Sequence, residues 1–202
     1  PEEINPEVLG YIFEKYVNQK EQGAYYTKED VTGYMSSMAI LPVVIDRVAD
    51  HIGTGPWALL QAHPHRYLPE GLVYGLDAEL PDVVASADLS KVGPMDELAG
   101  AEYGLPGERW REVRARRTWA LELVDAIERA EVGTTARAVT ANLNLQGLML
   151  DWIAELDDPS HVAATWDALS ALKVVDPTCG SGAFLFAALD LLEELYDATL
   201  TQ

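Results

Sequence analysis

The sequence predicts a mainly α protein, helical to about residue 170 and closing on one strand–turn–helix unit. Three observations carry that expectation. Apolar residues recur at three- and four-residue steps over most of the chain, the period of helices that bury one face. Val174 and Val175 are β-branched and precede Asp176-Pro177, which suits a short buried strand ending on an acid, because proline pushes the residue before it toward extended geometry. Gly180 and Gly182 then permit a tight turn, and from Ala183 the helical period returns through Phe184, Leu185, Ala188, Leu189, Leu192 and Tyr196.

Taken in order, Asn5 caps a first helix with Pro6 in its first turn and Val8, Leu9, Ile12, Phe13 and Tyr16 along its apolar stripe. Gly23 ends it. Thr27 is the expected cap of a second helix, with Lys28, Glu29 and Asp30 in the first turn and Val31, Tyr34, Met35 and Met38 following. Pro42 should break or restart that helix before Val43 to Val48, since it lacks an amide donor. Between Gly53 and Gly107 glycine and proline recur, and loops with short helices are expected. A long helix is predicted from Glu108 to Glu131, burying Trp110, Val113, Leu121, Val124 and Ile127. Leu145, Leu148, Met149, Trp152, Ile153 and Leu156 mark another. Ser160 is the expected cap of one carrying Val162, Trp166 and Leu169, and the tryptophans are expected in the core. A lone parallel strand at Val174-Val175 has no ladder partner, so it must shelter against helices or pair with an extended piece such as Leu72 to Tyr74.

A strand, an acid, a glycine turn and a helix start make a nucleotide-type site, with free N–H groups and the helix dipole facing the ligand. The spelling discriminates among the users of that architecture. A dinucleotide fingerprint needs a third glycine where Leu185 stands, and a phosphate-binding P-loop needs a lysine that is absent after Gly182. Asp176-Pro177-Thr178-Cys179-Gly180-Ser181-Gly182-Ala183-Phe184-Leu185 instead resembles motif I of amino-methylating DNA methyltransferases. Gly23-Ala24-Tyr25-Tyr26-Thr27 is similar to motif X of the same enzymes, with Lys28 where proline is usual. Leu9 to Tyr16, Asn142-Leu143-Asn144-Leu145 and Phe184 to Leu189 extend the likeness to the large N6-adenine enzymes of bacterial restriction–modification and of DISARM- and BREX-like phage defence. Residues 52 to 105 match only loosely.

The resemblance implies a helical N-terminal domain over residues 1–170, including motif X at 23–27, and the first β-α unit of a Rossmann-like methyltransferase domain at 171–202. It implies S-adenosylmethionine as cofactor. Asp176 would meet the methionine ammonium, with the backbone at Gly180 and Gly182 beside it. Thr27 would hold the carboxylate, Tyr25 and Tyr26 would line the pocket, and Pro177, Cys179 and Phe184 complete the set. The residues from Gly23 to Thr27 and from Asp176 to Phe184 are therefore expected to come together. The adenine-orienting motif IV, Asn/Asp-Pro-Pro-Tyr/Phe, is missing, because no Pro-Pro dipeptide occurs. The chain is expected to be the N-terminal piece of a longer enzyme, inactive alone, with no catalytic residue of its own. Other readings are a methyltransferase acting on RNA or protein, and a non-catalytic helical docking module of a defence complex.

Composition bounds the setting. With 202 residues the chain can bury a real core. A single cysteine excludes an internal disulfide and fits a reducing, cytoplasmic compartment. No stretch reads as a membrane span. The net charge of −19 is unlike a DNA-binding surface, so double-stranded DNA would be gripped mainly by missing downstream regions, and protein partners from the defence system stay open. Arg109, Arg111, Arg114, Arg116 and Arg117 form a basic collar, read as a solvated helix start balanced by Glu108, Glu112 and Glu122 in preference to a phosphate or partner contact. His63 and His65 lack the companions of a metal site. Cys179 is assigned packing and Ser181 backbone contact only.

Overall fold

The computed structural model describes residues 27–88, 93–180 and 182–202. The expected first helix and Tyr25-Tyr26 lie outside the described residues. In chain order the helices are α1 (Glu29–Ile52), α2 (Trp57–Ala62), α3 (Glu70–Val73), α4 (Asp82–Ala85), α5 (Trp110–Glu128), α6 (Thr135–Thr140), α7 (Leu145–Ala154), α8 (Pro159–Ser170) and α9 (Ala183–Leu200). Single 3-10 turns occupy Pro64–Tyr67 and Pro94–Asp96. The chain is mainly α, and the described residues hold no strand. Contacts gather it into two compact units, one comprising the chain up to Gly55 with Met149–Gln202, the other Pro56–Leu148.

In the first unit α1 packs along α8 and α9. Leu41, Val44, Ile45 and Val48 of α1 are fully buried, as is Leu195 of α9. That burial explains why α1 runs unbroken through Pro42, against the sequence expectation. An internal proline costs about 3 kcal/mol, whereas each fully buried aliphatic side chain returns roughly 1.5–3 kcal/mol. Three such residues flank Pro42 within one turn, and packing wins. At 24 residues and a mean hydropathy of 1.2, α1 also has the length and apolarity of a membrane span by composition alone. Its start differs from expectation too. Lys28, not Thr27, takes the cap position, and it offers no side-chain acceptor. At α8 the cap is Asp158, which accepts from the Ser160 amide, so Ser160 is inside the helix.

Two further corrections come from faces. On α9 the buried line is Ala188, Leu191, Leu195 and Thr199, while Leu185 and Leu189 are exposed. On α5 Val113, Ala120, Leu123, Val124 and Ile127 are buried, Leu121 points to solvent, and Trp119 is half exposed. Both helices carry more apolar residues than one stripe can bury, so the sequence period alone does not select the buried set. Trp166 is likewise exposed and stands edge-on to Tyr196. By contrast Leu145, Leu148, Met149, Trp152, Ile153 and Leu156 are all buried, as predicted.

The second unit is built around α5. Arg114, Arg116 and Arg117 turn inward, which corrects the sequence reading for those three, while Arg109 stays exposed and Glu108 balances Arg116 as expected. Arg116 bonds Glu108 and the carbonyls of Leu72, Tyr74 and Tyr103. Arg117 takes the carbonyls of Gly75 and Ala78, Arg114 those of Val84 and Ala87, and Arg111 the Asp96 carboxylate. Guanidinium groups carry five donors in a fixed fork, so each can satisfy several loop carbonyls at once. Segments with few backbone partners of their own are thereby tied to α5. The Glu108–Arg116 pair is nearly closed to solvent, with side chains 11% and 10% exposed. The Arg116 hydrogen bond holds the Glu108 carboxyl below the usual range. Burial, the leading cause, lowers the Arg117 value.

Candidate functional site

Residues 172–176 leave α8 and lead into the glycine turn without forming a strand. Val174 is 40% exposed and Val175 80%, so the expected buried strand is absent. The reason is the one that made the strand problematic: the described residues include no neighbouring strand to take its backbone. Leu72 and Val73 do not supply one, because they lie in α3, and the Tyr74 carbonyl accepts from Arg116. Residues of α1 and α9 line a cavity beside the segment.

The turn itself is built from local polar contacts. Asp176 Oδ1 accepts from the Thr178 amide at 2.8 Å and from Thr178 Oγ1 at 3.1 Å, an Asx-type turn that Pro177 helps to set. Its other oxygen, Oδ2, is buried and has no hydrogen-bond partner. Gly180 and Gly182 adopt φ of 53° and 87°, the left-handed region that side chains other than glycine and asparagine rarely enter. The Gly182 amide closes the turn on the Cys179 carbonyl at 2.7 Å. Gly182 is also the cap residue of α9, and it contributes no side-chain acceptor to the first-turn amides. The Cys179 thiol is exposed, which replaces its expected packing role with a place on the open face of the turn. Ser181 lies outside the described residues.

Behind the turn is a cavity of about 300 Å³, lined by Met35, Ser36, Ala39 and Ile40 of α1, the segment Val174–Thr178, and Phe184, Leu185 and Ala188 of α9. The helix that follows Thr27 therefore shares a wall with the turn at Asp176–Thr178. Thr27 stands just before α1 but is not among the lining residues, and Tyr25 and Tyr26 are outside the described residues. The sequence reading missed Ser36, whose hydroxyl donates to the Phe184 carbonyl at 3.4 Å. The available signal was the Thr32, Ser36 spacing, which puts two hydroxyls on the buried face of α1.

The groups at the turn suit a ligand that carries a cationic N–H group beside an anionic one. A buried carboxylate oxygen without a donor calls for a cation or N–H group, because leaving it unpaired is costly. Glycines admit a ligand to the backbone, and the start of α9 favours negative charge beside it. No group of three or more potential metal ligands occurs among the described residues.

Comparison with known proteins gives one partial relationship. Over 56 residues the chain is 41% identical to a Methanocaldococcus jannaschii protein that carries the name of a type II restriction enzyme and methyltransferase. The matched stretch is 25% of this chain and 5% of that protein. It relates the chain to restriction–modification methyltransferases at a coarse level. No family model matches. No solved structure matches.

Proposed function

We propose that this chain is the N-terminal part of an S-adenosylmethionine-dependent DNA adenine-N6 methyltransferase of a restriction–modification or phage-defence system. The observation that carries the reading is Asp176, one oxygen tied into its own turn and the other buried without a partner, followed by two left-handed glycines and an uncapped helix. The relationship to a protein named for restriction and methylation supports the same class. In this reading Val174 and Val175 join further strands as the first strand of a Rossmann-like sheet, and residues 171–202 open the catalytic domain.

When bound, the cofactor supplies an electrophilic methyl group on sulfonium. Asp176 Oδ2 accepts from the ammonium group. Gly180 and Gly182 would let the backbone approach the methionine chain, and the motif X resemblance assigns Thr27 to the carboxylate and Tyr25 and Tyr26 to the pocket. Pro177, Cys179 and Phe184 shape the remaining wall. Orientation of the adenine belongs to a motif outside this chain, as does most of the grip on double-stranded DNA. The −19 charge and the inward-turned arginines support that division of labour. The reading also places the protein in the cytoplasm, with its DNA and cofactor. Transfer of labelled methyl from S-adenosylmethionine, by the native polypeptide that carries this sequence, tests the proposal. Label is expected in N6-methyladenine of DNA; label in cytosine, RNA or protein would overturn it.

A further inference from the structure

We infer that Ser36 is a positioning residue for cofactor binding: it ties the helix after motif X to the first turn of the motif I helix. The inference rests on the reading above. Its basis is a contrast among buried hydroxyls. Thr32, Thr165 and Thr199 each donate to a carbonyl three or four residues back in their own helix. That is the ordinary solution for a hydroxyl on a packed helix face. Ser36 crosses instead to the Phe184 carbonyl, 148 residues away, while only 6% exposed itself.

Location makes the crossing consequential. Phe184 is the second residue of α9, two after the left-handed Gly182. Ser36 and Asp176 line the same cavity. Packing between α1 and α9 leaves two degrees of freedom that apolar contacts restrain weakly, sliding along the axes and rotation about them. A directional bond from α1 to one carbonyl at the start of α9 restrains both. At 3.4 Å it is a long bond, so it adds little to global stability, yet it biases the register of α1, with Thr27 just before it, against the first turn of α9. Displacing a binding group by about 1 Å is enough to reduce function strongly.

The test compares Ser36→Ala and Ser36→Thr with the unaltered native polypeptide, reading thermal melting, retention of labelled S-adenosylmethionine and amide exchange without cofactor. Ser36→Ala is expected to melt as the parent does, to retain cofactor about three- to tenfold more weakly, and to exchange faster at residues 184–188. Ser36→Thr, which keeps the hydroxyl, is expected to restore retention. If the parent retains cofactor and Ser36→Ala does so equally well, this inference fails and the functional reading stands. The inference also fails if Ser36→Ala loses retention only in proportion to a lowered melting temperature. If the parent retains none, both fall.

Discussion

Two irregular regions of this protein handle the same problem in opposite ways. Segments 72–87 and 103–108 are short helices and turns, and the α5 arginines take carbonyls in them from Leu72, Gly75, Val84 and Tyr103. The turn that begins at Asp176 closes on Thr178 and Cys179 by local bonds, yet it leaves a buried carboxylate oxygen and an uncapped helix start. Buried polar groups are normally paired. A loop whose carbonyls are taken by arginines of a neighbouring helix is scaffold, even though Arg117 Nε is itself buried without a partner. A loop that leaves polar groups unpaired beside a cavity is a candidate for binding. Charge is a poor guide to which is which, since the basic collar ties the scaffold and the turn at the acidic Asp176 is the candidate site.

The largest effect should come from breaking the scaffold. Arg116→Ala leaves Glu108 with only the Leu105 amide and three carbonyls without the arginine, and it should cost about 3–5 kcal/mol, as does removal of one partner of a buried ion pair. Denaturant unfolding measures this, and a loss under about 1 kcal/mol, the range of a surface pair, would show the arginine to be ornamental. Next is Gly75→Ala. Gly75 has φ of 64°, and an added Cβ would stand 2.7 Å from the Tyr103 carbonyl oxygen. The expected cost is about 1–3 kcal/mol in the same assay.

Acid titration sharpens the comparison further. Glu108 is held below its ordinary value in the folded protein, mainly by Arg116. Its contribution to stability is therefore full above the unfolded-state value of about 4.3 and is lost as pH falls through the lower folded value. Unfolding free energy should decline below that point in the parent. An Arg116→Ala variant should lose this part of the decline. Equal acid sensitivity in both would contradict the assignment.

Legibility followed the range of the interactions. The core at α7 was readable because Leu145, Leu148, Met149, Trp152 and Ile153, continued by Leu156 just past its end, recur at the three- and four-residue steps of one buried face. The glycine turn was readable because Asp176 and Thr178 bond two residues apart. The arginine scaffold was not, because its acceptors are backbone carbonyls as many as 44 residues distant, and a carbonyl has no letter in the sequence. Pro42 misled because its local penalty is visible and the burial that offsets it is tertiary. The strand at Val174-Val175 was legible as a propensity only, since a strand exists only with a partner.

The smallest structural change carries the central claim. Asp176→Asn keeps a carbonyl oxygen for the Thr178 turn and replaces the unpartnered oxygen by an amide donor, so melting should be unchanged. Calorimetric titration of S-adenosylmethionine into the native polypeptide should show binding, with affinity at least about tenfold weaker in Asp176→Asn, the loss of roughly one charge-assisted hydrogen bond. Equal affinity in the two proteins would contradict the account.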